Sequence, residues 1–164
     1  MNYKKLYPNV PNLRRGTYDS AGLDLYNMGS WLPDAPPFTL PEFYFRGDIA
    51  KISTGVAIEI PEGHFGLVRL RSSIASKRNM VLMSSGIIDA DYRGEILVPV
   101  TYNGLNDVWE VNATQDNPSK LPGIALREKF AQIVIIPYAH FSPVEVDELG
   151  STERGSGGFG STGV

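Results

Sequence analysis

Apolar and polar residues alternate along much of the middle of the chain, which is the pattern of a half-buried β-strand. In residues 49–60 the apolar positions include Val56, Ile58 and Ile60, and a Pro-Glu-Gly turn follows. The short, regular spacing of such segments predicts an all-β sandwich or barrel. Further strands, rich in Ile, Val, Leu and aromatic residues, are predicted at His64–Leu70, 80–88, Glu95–Tyr102 and 130–137.

Two irregular stretches and a glycine-rich end depart from this pattern. Residues 31–45 are rich in proline and aromatic side chains, and residues 103–126 are polar, with a further strand expected at Val108–Val111. We interpret both as surface insertions. The last residues, 150–164, contain no core-forming run, so we expect a flexible arm after a β domain at 1–149.

Composition limits the classes of function. The chain has 164 residues, 42% hydrophobic and 20% charged, so one domain with a buried core is expected. Neither a run of about 18 apolar residues nor a secretory signal is present, which argues against a membrane protein and favours the cytoplasm of the cell or of a host cell. The net charge of −3 gives no general attraction to nucleic acid. Without cysteine, and with only His64 and His140, a zinc site is not expected.

Residues 72–79 are the segment with helical character, because serine opens them and basic residues lie near their end. Free N–H groups at such a helix start bind anions, and Arg71 would add a guanidinium beside Ser72 and Ser73. An ordinary serine N-cap explains the same residues, and the sequence alone favours that explanation.

Residues 86–95 are a denser candidate, with three acidic residues and one tyrosine. Apolar residues flank Asp89 on both sides, so a hairpin could hold its carboxylate in a shielded pocket, where it could serve as a general base if water reached it. Asp91 and Gly94 have the character of turn residues, and Glu95 that of a solvent-facing strand residue. A β-turn with acidic side chains and a catalytic hairpin explain this pattern about equally well.

The glycine-rich end contains one cation and one aromatic residue, Arg154 and Phe159. Glycines let backbone N–H groups approach phosphates, Arg154 supplies charge, and Phe159 offers a face on which a base could stack. A flexible linker explains the composition slightly better. A Walker phosphate loop is excluded, because no Gly-Lys-Ser/Thr is present and no helix follows.

Five segments, taken in order, resemble the motifs of the trimeric dUTP diphosphatase (dUTPase) family. Their order over nearly the whole chain, ending in RGSGGFGSTG, carries the resemblance. It implies a jelly-roll-like subunit, a homotrimer with active sites between subunits, and a C-terminal arm that closes a neighbouring site. The segments are Ala21-Gly22-Leu23-Asp24-Leu25, Arg71-Ser72-Ser73 continuing to Lys77, residues 86–95, Ala131-Gln132 and residues 154–163.

The resemblance also implies an activity. Members of this family hydrolyse dUTP to dUMP and pyrophosphate with Mg²⁺, which limits uracil in DNA and supplies dUMP for dTMP synthesis. By match to the third motif, Asp89 deprotonates the water that attacks the α-phosphate, and Tyr92 stacks under the deoxyribose. The main chain of Gly86, Ile87 and Ile88 reads the uracil edge.

The other motifs match phosphate and metal contacts of the family. Asp24 of the first motif is expected near Mg²⁺ and to reach it through water, while the phosphates and waters hold the ion. The resemblance assigns phosphate contacts to Arg71, Ser72, Ser73 and Gln132, a γ-phosphate clamp to Arg154, Gly160, Ser161 and Thr162, and a lid over uracil to Phe159.

Several features depart from the family pattern. Arg127 stands near a glycine that usually precedes the fourth motif, and Met83 stands near an asparagine that reads uracil in some bacterial members. Base reading is therefore expected to rest on the backbone. The insertions near 31–45 and 103–126 are longer than a minimal member needs. We expect these insertions only to extend the rim of the subunit. The alternative is that they contact a regulatory protein partner.

The nearest enzyme alternative is dCTP deaminase, which shares the fold. Its catalytic glutamate would stand at the position of Pro99, which has no group for acid–base chemistry. The deaminase also lacks the arm rich in arginine, glycine and phenylalanine. The resemblance therefore favours hydrolysis of dUTP over deamination of dCTP.

Overall fold

The structure, a computed structural model, describes residues 1–30, 42–111 and 121–157. Within these residues the chain forms eleven β-strands and one short α-helix, which confirms the predicted all-β class. No helix among them has the length and apolar character that a membrane crossing needs. In chain order the elements are β1 (Asn2–Lys5), β2 (Leu23–Tyr26), β3 (Glu42–Phe45), β4 (Ala50–Glu59), β5 (His64–Leu70), α1 (Ser72–Arg78), β6 (Met80–Leu82), β7 (Ile87–Ile88), β8 (Glu95–Tyr102), β9 (Val108–Val111), β10 (Gly123–Ile124) and β11 (Lys129–Pro137).

These strands form three sheets. Two sheets have four strands each, in the orders β1-β4-β8-β6 and β2-β11-β5-β7, and the third has the order β10-β9-β3. Strands β9 and β10 pair in parallel and the other pairs are antiparallel. In β8, which the composition predicted, Ile96, Val98 and Val100 are fully buried and the residues between them are half-buried. The buried apolar faces meet in one core.

Residues 80–88 do not form the single strand predicted for them. Strand β6 pairs with β8 in one four-stranded sheet, whereas β7 pairs with β5 in the other. Residues 84–86, which we call the 84–86 turn, lie between the two strands, and Gly86 has a φ of +74°, which favours glycine. Because apolar residues lie on both sides of this turn, the sequence resembles one continuous strand. It gives no sign that the chain passes from one sheet to the other.

The expectation that residues 103–126 are a surface insertion is wrong for their strand β9. Trp109 is fully buried, and its ring stacks on Tyr44 of β3 with the ring centroids 4.9 Å apart. The Trp109 Nε1–H donates to the carbonyl oxygen of Phe45 at 3.1 Å. The predicted strand β9 is confirmed, and it belongs to the third sheet. Most of residues 31–45 lies outside the described residues.

The side chain of Asn27 ties the end of β2 to the segment that leads into β11. It is fully buried, and its Nδ2 donates to the carbonyl oxygens of Ile124 and Ala125, each at 3.0 Å. Its Oδ1 accepts a hydrogen bond from the Gly29 N–H at 2.9 Å. One amide therefore satisfies three buried or part-buried backbone groups.

Replacement of Asn27 should destabilise the fold strongly. We expect Asn27→Ala to lower the free energy of unfolding by about 2–4 kcal/mol, because several backbone groups lose their partner. Asn27→Asp should be at least as harmful at neutral pH, since its carboxylate faces two carbonyl oxygens, and should recover partly in acid. Urea unfolding at one protein concentration, followed by tryptophan fluorescence, measures this. Exposed Asn103→Ala is the control, and equal midpoints for all variants would contradict the assignment.

Candidate active site

The first group of predicted site residues surrounds Asp24. This side chain on β2 is 3% exposed and lies opposite Gln132 of β11 in the sheet register. Arg71 forms a hydrogen-bonded ion pair with Oδ1, and the Nζ of Lys129 lies 2.8 Å from Oδ2. Cations therefore engage both oxygens, as the burial of a charged group requires.

Gly22 makes room for this group, and the backbone at Arg127 bears on a departure from the family pattern. A Cβ on Gly22 would lie 2.6 Å from Oε1 of Gln132, so only a glycine lets Gln132 sit beside Asp24 undisturbed. Arg127 has a φ of +61°, the left-handed region that favours glycine, and its N–H donates to the Asn27 carbonyl at 2.7 Å. Arg127 thus departs from the family pattern in residue type while its backbone adopts a conformation suited to glycine.

An open cavity of about 440 Å³, which we call the Arg71 cavity, lies over these residues. Because two cations face one carboxylate there, its wall favours an anion. The structure thus brings together four residues that the resemblance assigned to phosphate and metal. The lining includes Thr17, Ser20, Asp24, Arg71, Ser72, Lys129 and Gln132.

Helix α1 adds backbone donors at the edge of this cavity. Arg71 rather than Ser72 occupies the N-cap position, and no side-chain hydrogen bond caps the first turn. The explanation of Ser72 as an ordinary N-cap is therefore wrong. The Ile74 N–H donates to the Arg71 carbonyl at 2.9 Å, so the N–H groups of Ser72 and Ser73 are those left for a ligand. Ser72 lines the Arg71 cavity, whereas Ser73 follows it in the helix without lining it.

The second group of predicted site residues lies on the connection between β7 and β8, which we call the hairpin for its return of the chain. The prediction of a paired β-hairpin is wrong, because β7 pairs with β5 and β8 pairs with β4 and β6 in the other sheet. Asp89 is exposed, so the shielded pocket expected for it is absent from the single described chain. A cavity of about 190 Å³, the Asp89 cavity, adjoins the carboxylate, and water can reach it. This cavity is lined by Ile87, Ile88, Asp89, Tyr92, Glu95 and Leu97.

Tyr92 is held against the hairpin backbone. Its hydroxyl donates to the carbonyl oxygen of Glu95 at 2.9 Å. A Cβ on Gly94 would lie 2.4 Å from the Tyr92 hydroxyl oxygen, so the glycine allows this close approach. The position of the Tyr92 ring in the Asp89 cavity is therefore set by the hairpin itself.

Glu95 is not the solvent-facing residue that the sequence suggested. Its Oε1 accepts hydrogen bonds from the Ser53 hydroxyl and, at 2.7 Å, from the Gly55 N–H, where β4 has an irregular register against β8. The Tyr7 hydroxyl lies 3.4 Å from Oε2. Burial, and then the negative charge of Glu95, raise the pKa of Tyr7 above its ordinary value. Glu95 thus supports the bulge of β4 beside the hairpin.

Both histidines of the chain line a third cavity of about 780 Å³ beside Asp89. His64 and His140 are distant in sequence, and the fold brings them to one wall with the aromatic rings of Phe65 and Tyr138. The described part of the chain contains no group of three or more His, Asp or Glu side chains placed to hold a metal ion.

The two groups of site residues line two separate cavities of one chain. Among the described residues, the Arg71 cavity and the Asp89 cavity share no lining residue. Arg154 lines neither cavity, and its Nε–H donates to the Gly157 carbonyl at 2.9 Å. The predicted arm residues Phe159, Gly160, Ser161 and Thr162 lie outside the described residues.

Sequence reasoning missed Lys129 and Leu97. Lys129 joins the site because β2 and β11 pair in a register that places it near Asp24. Leu97 joins because the hairpin folds over β8. Neither residue has a local sequence signal, since each contact depends on pairing between distant segments.

The ion pair of Lys129 should appear in the pH dependence of stability. The Asp24 carboxylate beside its ammonium group is the main cause that raises the pKa of Lys129 above its ordinary value of 10.5. A raised pKa means that this stabilisation is fully present below about pH 10.5 and is lost as the pH rises further. Lys129→Met should therefore cost about 0.5–1 kcal/mol near neutral pH, and the difference from wild type should shrink in strong alkali.

Unfolding midpoints of wild type and Lys129→Met from neutral pH upward measure this effect. Lys4→Met, on the exposed strand β1, is the matched control. A difference that grows with alkaline pH would contradict the assigned ion pair.

Comparison with known proteins finds similar sequences from one family. The chain matches the family model for dUTPase over residues 9–115 and 119–163. The deoxyuridine 5'-triphosphate nucleotidohydrolase of Dictyoglomus turgidum is 35% identical, with 98% of this chain and 96% of the relative covered. That of Nautilia profundicola is 42% identical, with 90% and 87% covered.

Solved structures agree as well. The Staphylococcus bacteriophage 80alpha dUTPase with dUPNHPP superposes with a TM-score of 0.76 at 29% identity and covers 99% of this chain and 98% of that one. That protein is described as controlling transfer of virulence genes by a proto-oncogenic G protein-like mechanism. With a family model that matches most of its length and relatives above 30% identity, the chain belongs to the dUTPase family.

Proposed function

We propose that the chain hydrolyses dUTP to dUMP and pyrophosphate in a site that neighbouring chains build together. The enzyme class follows from the family: the protein is a dUTP nucleotidohydrolase. In the reaction, a water oxygen bonds to the α-phosphorus, the bond from that phosphorus to the oxygen shared with the β-phosphate breaks, and pyrophosphate leaves. Asp89 accepts the proton that the water loses.

The separation of the Arg71 cavity from the Asp89 cavity carries this proposal. The proposed base, Asp89, has to lie beside the phosphate that Arg71 and Lys129 attract. The Asp89 cavity contains the base without these cations, and the Arg71 cavity contains the cations without Asp89. A second copy of the chain that presents its hairpin to the Arg71 cavity joins the two halves. Repetition of this head-to-tail contact around a threefold axis closes a homotrimer.

Arg71, Ser72, Ser73 and Gln132 are the proposed phosphate contacts. The guanidinium of Arg71 has N–H groups beyond the one bound to Asp24, and the first turn of α1 offers backbone N–H groups without a side-chain cap. Negative charge grows on the phosphate oxygens as water attacks. Fixed donors therefore stabilise the transition state more than the bound substrate.

Mg²⁺ fits this site as an ion held mainly by the substrate. Arg71 and Lys129 already engage the two oxygens of Asp24, so this carboxylate would reach the ion through water. With no cluster of metal ligands among the described residues, the phosphates and waters would supply most of the coordination. When bound, the ion offsets negative charge on the phosphates during the reaction.

The hairpin carries the proposed sugar and base contacts. Because the hydroxyl of Tyr92 is bonded to the Glu95 carbonyl, the ring is fixed and can stack under the deoxyribose, which leaves no room for a ribose 2′-hydroxyl. The main chain of Gly86, Ile87 and Ile88 reads the Watson–Crick edge of uracil.

Residues 150–164 form the proposed arm, which comes from another chain and closes the site. Arg154 is exposed and can turn its guanidinium toward the γ-phosphate. Stacking of the Phe159 ring on uracil would contribute about 1–3 kcal/mol. The proposed clamp on the γ-phosphate is completed by Gly160, Ser161 and Thr162.

Two expectations from the sequence stay predictions. One is a regulatory protein partner at the stretches 31–45 and 103–126, and the other is a cytoplasmic location. The described role of the 80alpha relative concerns that protein, and hydrolysis of dUTP explains the site without a partner.

Removal of the Asp89 carboxylate charge should separate catalysis from binding. We expect Asp89→Asn to lower kcat roughly 10²–10⁴-fold, because the amide cannot accept the proton, with KM changed only slightly. Pyrophosphate release from dUTP, with calorimetric binding of a non-hydrolysable analogue, measures both quantities. Asp91→Asn, on the same hairpin, is the control. Near wild-type turnover by Asp89→Asn would remove this residue as the base.

Mixing of two inactive variants should restore activity if neighbouring chains share the site. We expect Asp89→Asn and Arg71→Met chains, refolded together in equal amounts, to regain activity at about one quarter of sites, because those sites contain one intact half from each variant. Size-exclusion chromatography verifies the assembly, and each variant refolded alone is the control. If Arg71→Met does not assemble, Gln132→Ala replaces it. Absence of recovery in mixed assemblies would place both halves in one chain.

A further inference from the structure

The 84–86 turn is held by a set of hydrogen bonds around its backbone. The Gly86 N–H donates to the Ser84 Oγ at 3.2 Å, and the Ile87 N–H donates to the Ser85 Oγ at 3.4 Å. The Gly86 carbonyl accepts from the Val68 N–H on β5 at 2.7 Å. This turn therefore fixes the start of the segment that carries the proposed base-reading backbone.

Arg69 of strand β5 reaches this turn with its side chain. Its Nη1 donates to the carbonyl oxygen of Ser85 at 3.1 Å and lies 3.4 Å from that of Val68. A Cβ on Gly86 would lie 3.3 Å from the same nitrogen, so the guanidinium packs directly beside the glycine. A charged donor thus connects β5 with the middle residue of the turn.

The sheet register places Arg69 between the two halves of the site. Arg69 lies opposite Gln132, and Gln132 lies opposite Asp24, so the three side chains share one face across β5, β11 and β2. Arg69 does not line the Arg71 cavity, and its described hydrogen bonds go to the backbone around the turn. Its contacts therefore indicate a structural link to the turn and not a phosphate contact.

We infer that Arg69 is a positioning residue that holds the 84–86 turn, and through it the backbone of Gly86, Ile87 and Ile88, in the conformation that binds the base. This inference rests on the proposed function, which assigns base reading to that backbone. Without the guanidinium, the exposed turn keeps its serine bonds but loses its side-chain anchor on β5. Substrate then has to order the turn when it binds, which weakens binding more than chemistry.

The test compares Arg69→Met, which keeps an aliphatic side chain but removes the donors, with Arg69→Lys, which restores one charged donor. Arg46→Met, an exposed arginine in the connection between β3 and β4, is the matched control. For each variant, kcat and KM are measured with dUTP and with dTTP, together with inhibition by pyrophosphate. Hydrogen exchange of the backbone amides in residues 83–89 reports the order of the turn without any turnover.

We expect Arg69→Met to raise KM for dUTP about tenfold, the effect of one lost charge-assisted hydrogen bond, with kcat within about twofold of wild type. Amide exchange in residues 83–89 should accelerate, preference for dUTP over dTTP should fall, and pyrophosphate inhibition should stay unchanged. Arg69→Lys should recover part of the loss, and Arg46→Met should match wild type.

Two results would overturn the inference. Unchanged exchange and KM in Arg69→Met would show that the turn does not need its anchor. A parallel loss of pyrophosphate inhibition and dUTP binding would make Arg69 a phosphate contact instead. Failure of the proposed function is distinguishable, because it would appear as full turnover in Asp89→Asn, whereas the exchange measurement on Arg69→Met does not depend on catalysis.

Discussion

The buried carboxylate of Asp24 is the constraint on which the rest of the site depends. At 3% exposure this charge is stable only if partners neutralise it, and Arg71 and Lys129 do so from two different parts of the chain. Arg71 precedes α1 and Lys129 begins β11. Their ion pairs with Asp24 therefore hold the start of the helix and the start of the strand beside β2. Two cations around one anion leave a positive field toward solvent, which is what a phosphate-binding surface requires.

The crossing of residues 80–88 between two sheets determines where Asp89 lies. Because β6 belongs to one sheet and β7 to the other, the chain leaves the core at the 84–86 turn and carries the carboxylate to the surface. Gly86 permits this path, since a Cβ there would lie 2.4 Å from the Val68 carbonyl oxygen. The exposed carboxylate of Asp89 is accessible to water, but the cations Arg71 and Lys129 line a different cavity of the same chain. The proposed site therefore needs a neighbouring chain.

The sequence predicted the features that depend on nearby residues. Alternation predicted β4, richness in apolar and aromatic residues predicted β5, β8 and β11, and the family resemblance named Asp24, Arg71 and Gln132 as site residues. Contacts between distant segments had no local signal: nothing near Lys129 indicates its ion pair, and Trp109 is fully buried although it lies in a stretch predicted to be a polar surface insertion. Strands as short as β7 and β10 contain too few residues to show a period, so only pairing reveals them.

The placement of two half-sites in separate cavities of one chain has a genetic consequence. In the proposed ring, each chain serves two active centres, lending its hairpin to one and its Arg71 cavity to the other. A chain with inactivating substitutions in both half-sites would inactivate two active sites of a trimer whose other two chains are intact. An allele of this kind would act with partial dominance, because a mixed population of chains loses activity faster than the fraction of damaged copies.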